Sequence, residues 1–432
     1  MHFYQLMTFK HHSYISVDEA FARLMQKVRM VQAKFESVPV LKAYGRVLAD
    51  DAISYVNIPS YDSSHMDGFA LNHKDIKYAS ASFPAVLKIK RSQFKAGRFP
   101  CQIIQRKEAC RIATGGYLPT GSDTVIPIER VKVSGDDKVR IFSRIPKGSF
   151  VYRAGSDIKK GEQVMIKGKI LRPQDIGLLA MIGFLRVRVF KKPIVTLIPT
   201  GSELTNHLEV RGSGKIPDTH SHIVFRMIEE IGGVAIRLAV TPDKMDAIAK
   251  KIRHASIKAD LILTLGGSSI GKYDLVEKAI NSIGSSGILV HGVRLDRGRV
   301  TGLGVVRGKP IIVLPGPIQG AINSFVIFAY PLIRWLSNRS GKMPIVSATL
   351  SDKWKARKNF GCFTKVVYVA LSNSIYGFKA TPVTGQTESI RLLTKAHGYI
   401  IVPERITNMK AGRTVQVHLL PGFSYINDQF VD

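Results

Sequence analysis

The sequence reads as a multidomain α/β protein: a doubly wound, mostly parallel central domain, a split N-terminal α+β domain with a β-rich insertion, and a small C-terminal β-barrel. Two patterns carry that reading. Between Lys192 and Leu336, short apolar runs alternate with helical stretches, as strands and crossover helices do in a parallel sheet. From about Ser80 to Arg144, and again after Lys342, the period falls to two and Gly, Pro and Asp divide the runs, as in small antiparallel sheets. With 432 residues and 45% hydrophobic content, the chain exceeds one ordinary domain and can fill several cores.

In chain order, Ser16 and Glu19 have capping-box spacing, and Ala20, Leu24, Val28 and Val31 follow at helical intervals, which predicts a helix ending near Lys34. Val38 to Ser54 predicts a strand, a turn at Tyr44 and Gly45, and a short helical or extended piece. Short strands are expected at Ala85 to Ile89, Gln102 to Ile104, Val131 to Val133 and Val139 to Ile141, and a strand then a helix starting at Pro173 within Gly161 to Gly183. The central domain should place strands at Pro193 to Ile198, Val234 to Val240, Leu261 to Leu265, Ile288 to Val290 and Pro310 to Leu314. Its helices fall at Ser221 to Ile231, Met245 to His254, Leu275 to Ile283 and Ala321 to Leu336. Phe363 to Ala370, Tyr399 to Val402 and Thr414 to Leu419 complete a β module. The expected modules are 1–55 with 145–190, 56–144, 191–340 and 341–432.

Composition limits the function classes. No apolar run reaches the roughly 18 residues of a membrane span; Ile311 to Leu336 is broken by Pro315, Pro317, Pro331 and Arg334. The N-terminus lacks the apolar core of a signal peptide, so a cytoplasmic location is expected. Cys101, Cys110 and Cys362 form no CxxC pair, which argues against a disulfide framework, a zinc ribbon or an iron–sulfur cluster. The formal net charge of +31 would attract polyanions, yet the basic residues are dispersed, with no basic tail and no zinc-finger spacing. That distribution argues against nucleic acid as the main partner.

The chemistry concentrates in glycine-bearing loops. Leu261 to Leu265 runs into Gly266, Gly267, Ser268, Ser269, Ile270 and Gly271, where missing side chains let backbone N–H groups approach a phosphate. Such turns also need glycine for purely structural reasons. Two further loops, Pro199 to Leu204 and Pro315 to Gln319, follow strands of the same sheet, and three loops at the carboxyl ends of parallel strands predict one crevice for a small anionic ligand. Glu203 and Asp274 beside phosphates would make sense with a divalent cation between them, although an isolated acid there could equally cap a helix or face solvent.

The order of motifs resembles the molybdopterin molybdenumtransferases, whose homologues include the C-terminal half of the scaffold gephyrin. The resemblance spans nearly the whole chain and rests on PSYDSSHMDGFA at Pro59, IATGGYLPTGSDTVIPIE at Ile112, GSDI at Gly155, KPIVTLIPTGSEL at Lys192, IPDTH at Ile216, GGSSIGKYD at Gly266 and LPG at Leu314. It implies that adenylylated molybdopterin is bound and cleaved with release of AMP, and that molybdate or tungstate is inserted into the dithiolene with Mg²⁺ assisting. It also implies catalytic roles for Asp67, Thr114, Asp157, Glu203, Asp243 and Asp274. The metal would be held by Glu203 and Asp274. The ligand would be bound by Gly201, Asp218, Thr219, Gly266, Gly267, Ser268, Ser269, Gly271, Arg297, Arg299, Pro315 and Gly316. A homodimer is implied, its site built from the central domain of one subunit and the split region of the other; a molybdopterin adenylyltransferase is a further partner to consider.

Several positions depart from the family pattern. Ser202 stands for an acid, His220 for an asparagine, and Asp296 to Val300 for a PGKP-like run, so that Asp296 replaces a lysine and Arg297 and Arg299 are the candidates to bind phosphate instead. Pro317 replaces the asparagine of PGNP, and Glu388 adds a charge to a Gly/Ser-rich turn. All lie in the expected crevice. They motivate an alternative, a molybdopterin-binding scaffold or sensor with weakened catalysis; charge alone motivates a nucleic-acid-binding reading.

Overall fold

The computed structural model describes residues 14–28, 33–90, 103–135, 137–207, 214–267, 275–285, 287–339, 344–375, 377–386 and 389–420. At its centre is a six-stranded sheet of β1 (Ile194–Pro199), β2 (Val234–Arg237), β3 (Leu261–Leu265), β4 (Gly287–His291), β5 (Gly302–Val306) and β6 (Lys309–Leu314). The spatial order is β2-β1-β3-β6-β5-β4. The first four are parallel, whereas β5 pairs antiparallel with β6 and β4 antiparallel with β5. Every residue of β3 is buried, which accounts for its run LILTL, apolar except for Thr264.

Strand β5, GLGVV, carries two glycines where strand formers were expected, and the sequence pattern did not reveal it. A Cβ on Gly304 would stand 2.6 Å from the Gly287 carbonyl oxygen, so glycine is what lets β4 and β5 approach.

Helices cover both faces. Val224 and Ile228 of helix His220–Glu230 and the apolar side of the 318–336 run pack on one face; Ile248 and Ile252 of helix Met245–Lys258 and Ile280 of helix Leu275–Ser282 pack on the other. The 318–336 run is interrupted by a π-helical segment, Phe325–Ala329, just before Pro331, where the missing N–H would otherwise break an α register.

The first helix is Val17–Val28, with the Ser16 hydroxyl accepting from the Glu19 N–H at 3.2 Å; residues 29–32 lie outside the described set. Its Ala20, Leu24 and Val28 are buried in the core of the central sheet, although its sequence position groups it with the split region. Leu24 alone contributes about 2 kcal/mol by burial.

The split region is built by antiparallel pairing of segments far apart in sequence. Phe35–Pro39 pairs with Arg186–Phe190, Ala52–Ile53 with Gln163–Met165, and Ser63–Ser64 with Val151–Tyr152. Between the last two lies a six-stranded sheet running from Gly68–Leu71 to Lys138–Ile141. Ala85–Ile89, Val131–Ser134 and Lys138–Ile141 fall on expected strands. Glu108–Ile112 and Thr124–Pro127 were not foreseen, while Ile103 makes only an isolated bridge to Thr120. At the C-terminal end, Ile345–Leu350, Gly377–Pro382, Lys365–Ser374, Gly398–Val402 and Thr414–Leu419 form a closed five-stranded barrel.

Candidate active-site cleft

The carboxyl ends of β1, β3 and β6 deliver Thr200–Gly201, Gly266–Gly267 and Pro315–Gly316 to one edge of the sheet. Thr200 N donates to Leu265 O at 2.9 Å and Gly266 N to Leu314 O at 3.1 Å, which locks the three loops side by side. Gly266 and Gly267 have φ of +91° and +66°. A Cβ on Gly266 would lie 2.5 Å from the Thr200 carbonyl oxygen, and one on Gly267 would lie 2.6 Å from Val276 Cγ2. The glycines are thus required by the packing of the loops as well as by any ligand.

A cleft of about 720 Å³ opens over these loops, lined also by Glu203, Leu204, Ile216, Asp218, Thr219, His220 and Asp243. The N–H groups of Gly267 and Gly316 make no hydrogen bond among the described residues, whereas those of Thr200, Gly201 and Gly266 are engaged. Ser268, Ser269, Gly271 and Asp274 lie outside the described residues.

The acids of this cleft differ in availability. Asp243 accepts from Ser202 N at 2.9 Å while its own N–H donates to Ser202 Oγ at 3.0 Å, so the serine standing where an acid was expected braces the turn. Lys215 Nζ reaches Ser202 O at 2.6 Å. Asp218 is 3% exposed; it accepts from Ser221 N at 3.1 Å, from the Ser221 hydroxyl and from Arg237 Nη2 at 2.7 Å, and is thereby committed to holding the start of the helix. Of these acids, only Glu203 has a carboxylate with no hydrogen-bond or ion-pair partner among the described residues, its backbone carbonyl accepting from Ile216 N. His220 donates through Nδ1 to Gly316 O at 3.1 Å, tying the helix start to the third loop. Arg237 and Ser221 were missed by sequence reasoning; the one available signal was an arginine closing the otherwise apolar strand VAIR.

Other expected site residues lie elsewhere on the chain. Asp67 Oδ1 accepts from Thr114 N at 2.7 Å and from Thr114 Oγ1 at 2.9 Å. These two bonds, the backbone one foremost, hold the carboxyl below its usual range. Asp157 is exposed, its N–H donating to Ile58 O at 3.0 Å. None of the three lines the cleft.

Arg297 lines a separate cleft of about 400 Å³ between the central domain and the barrel, with Lys353, Lys355, Arg357, Lys365 and Tyr368. Its Nη2 donates to Gly385 O at 3.0 Å, and burial, then the neighbouring Arg357, lowers its hold on its proton. Asp296, at the position of the missing lysine, is paired with Arg357. Lys365, 2% exposed, donates to Gly361 O at 2.8 Å and Ile406 O at 2.9 Å. Arg299 is exposed and Pro315 follows β6 directly; neither lines the second cleft.

This geometry defines a class first: a doubly wound domain with a phosphate-scale crevice at the carboxyl ends of its strands, set between a split N-terminal region and a barrel. Comparison with known proteins supplies the family. Residues 15–183 match "MoeA N-terminal region (domain I and II)", residues 196–335 "Probable molybdopterin binding domain", and residues 347–420 "MoeA C-terminal region (domain IV)". The chain belongs to the MoeA family.

A molybdopterin molybdenumtransferase of Bacillus subtilis (strain 168) is 28% identical over 411 residues, covering 94% of each chain. Molybdopterin molybdenumtransferase 2 of Mycobacterium tuberculosis (strain ATCC 25618 / H37Rv) is 28% identical over 390 residues, 88% of this chain and 94% of that one. Among solved structures, the molybdopterin biosynthesis MoeA protein from Pyrococcus horikosii superposes with a TM-score of 0.80 at 27% identity, covering 95% of this chain and all of the other.

Proposed function

We propose that the chain is a molybdopterin molybdenumtransferase, cleaving adenylylated molybdopterin and transferring molybdenum, or tungsten, from its oxyanion to the dithiolene. The observation that carries this is the convergence of three strand-end loops on one cleft, with the Gly267 and Gly316 N–H groups open to a phosphate and a free carboxylate, Glu203, beside them.

A lone carboxylate facing phosphates repels them, and a hard divalent cation reconciles the two. The residues present suit Mg²⁺: Glu203 and the second oxygen of Asp243, with Asp274 from the adjoining loop, are oxygen donors. Mg²⁺ would neutralise charge on the phosphates as the link breaks. The protein's own contribution is placement. Gly266 and Gly267 keep the floor open, His220 holds the Gly316 loop, and Leu204 and Ile216 add apolar surface to the cleft lining. Arg297, Lys353 and Lys355 offer positive charge from the second cleft to the anionic parts of the substrate beyond AMP.

Asp67, Thr114 and Asp157, on the split region and its insertion, fit a homodimer in which one subunit's acids complete the cleft of its partner. The proposed modules are those bounded near residues 55, 144, 190 and 340. Among the described residues no helix is long and apolar enough to cross a membrane. The setting we propose is the cytoplasm, with substrate received from an adenylyltransferase.

The test is a turnover assay with adenylylated molybdopterin, molybdate and Mg²⁺. AMP release that is lost in Asp274→Asn, with folding intact, supports the reading. Tight binding of the substrate without AMP release would favour the scaffold alternative instead.

A further inference from the structure

We propose that Arg237, which lines neither cleft, is the positioning residue for the acid-bearing wall of the active-site cleft. It closes the edge strand β2, and its guanidinium reaches three residues on two segments. Nη2 donates to Asp218 Oδ2 at 2.7 Å and to Asn206 Oδ1 at 3.1 Å, and Nε donates to Ser221 Oγ at 2.6 Å. Asn206 Oδ1 also accepts from Val240 N at 3.1 Å, which anchors that end of the Glu203 loop to the chain leaving β2.

Glu203 is coupled to this anchor through the backbone. Leu204–Thr205 and Ile216–Pro217 form a two-stranded parallel ribbon, with Ile216 N donating to Glu203 O at 3.0 Å and Asp218 N to Thr205 O at 3.0 Å. One planar fork therefore fixes both strands of the ribbon: one through Asn206, the other through Asp218. Without it, a carboxylate whose side chain is 1% exposed keeps only its serine partners. An unpaired buried charge is costly, so it moves toward solvent, drawing the ribbon and Glu203 with it.

The test uses the full chain and the variants Arg237→Met, Arg237→Lys and the double variant Arg237→Met with Asp218→Asn. Amide hydrogen exchange at Ile216 and Asp218 reads the ribbon independently of activity. Exchange at least about tenfold faster is expected in Arg237→Met and in the double variant, with Arg237→Lys between them and the wild type. The second readout, calorimetric binding of AMP with Mg²⁺, rests on the functional reading above; about tenfold weaker binding is expected in both. The urea midpoint of the double variant should recover toward wild type, because the unpaired charge is gone.

Recovery of slow exchange and of AMP affinity in the double variant would mean that Arg237 only neutralises Asp218, and would overturn the proposal, as would unchanged exchange in Arg237→Met. Failure of the wild type to bind AMP would count against the functional reading alone and leave the exchange arm to decide.

Discussion

Alanine substitutions at two cleft glycines, and at Gly45 in the split region, should separate according to what each would meet. Gly266 has φ of +91°, and a Cβ there would lie 2.5 Å from the carbonyl oxygen of Thr200, a residue held by its N–H bond to Leu265 O and its bridge to Thr241. The left-handed backbone costs about 1–2 kcal/mol with a side chain, and moving a rigid carbonyl costs about 1–3 kcal/mol more. Gly266→Ala is therefore expected to lose about 2–5 kcal/mol. Gly316 has no positive φ, and its nearest neighbour would be Gly266 Cα at 3.7 Å, an ordinary contact. Gly316→Ala should stay within about 0.5 kcal/mol of wild type. Gly45, at φ +71° with nothing within 4 Å, isolates the backbone contribution and should fall between them, near 1 kcal/mol by the same estimate. The assay is urea unfolding in a Trp354→Phe background, which leaves Trp335, on the last turn of the 318–336 run, as the single tryptophan reporting on the central domain. A midpoint drop of about 1 M for Gly266→Ala is expected. Equal midpoints for Gly266→Ala and Gly316→Ala would refute the argument that packing of the loops, and not the ligand alone, demands glycine at 266.

Glu203→Gln should leave the urea midpoint unchanged and raise the Mg²⁺ concentration for half-maximal AMP release more than about tenfold; unchanged Mg²⁺ dependence would remove Glu203 from metal binding. Thr114→Val deletes one of the two bonds that depress the Asp67 pKa but keeps the backbone one, so the acid limb of the activity profile should move to higher pH. No movement would mean that Asp67 does not govern that limb. Burial alone would raise the Asp175 pKa, but bonds from the Arg172 side chain and backbone and the Lys169 ammonium overcome it and hold it at about 2. The folded value lies below the unfolded one, so the contribution, about 2 kcal/mol from the shift, is present above the unfolded value and lost as pH falls through the folded one. The stability gap between wild type and Asp175→Asn should therefore shrink as pH falls from about 5 to about 2; a constant gap would refute it.

The central sheet was the most legible part of the fold, for a physical reason. Strands buried on both faces are predominantly apolar, so β3 appears in the sequence over the same residues as in the structure. Glycine-rich β5 was invisible because its identity answers to the approach of β4 rather than to strand propensity. The strand loops were legible as a set, since chain direction alone sends them to one edge, and Glu203, Asp218, His220 and Asp243 do line a common cleft. The state of each acid was not legible. Whether Asp218 is free or committed depends on Arg237, nineteen positions away by the spacing of that hydrogen bond. Arg297 likewise follows a strand of the same domain, but its left-handed backbone, φ +57°, and its bond to Gly385 turn it toward the barrel.

The ladder of paired segments in the split region has a consequence for how the chain could be cut and rejoined. The outgoing Ser63–Ser64 and returning Val151–Tyr152 lie hydrogen-bonded side by side, so the six-stranded sheet leaves and re-enters through adjacent points. Closing such a gap with a short turn costs little loop entropy, because the ends already meet. The sheet is therefore a natural cassette: it could be exchanged for another module, or trimmed, without altering the register of the Phe35–Pro39 and Arg186–Phe190 pairing beneath it.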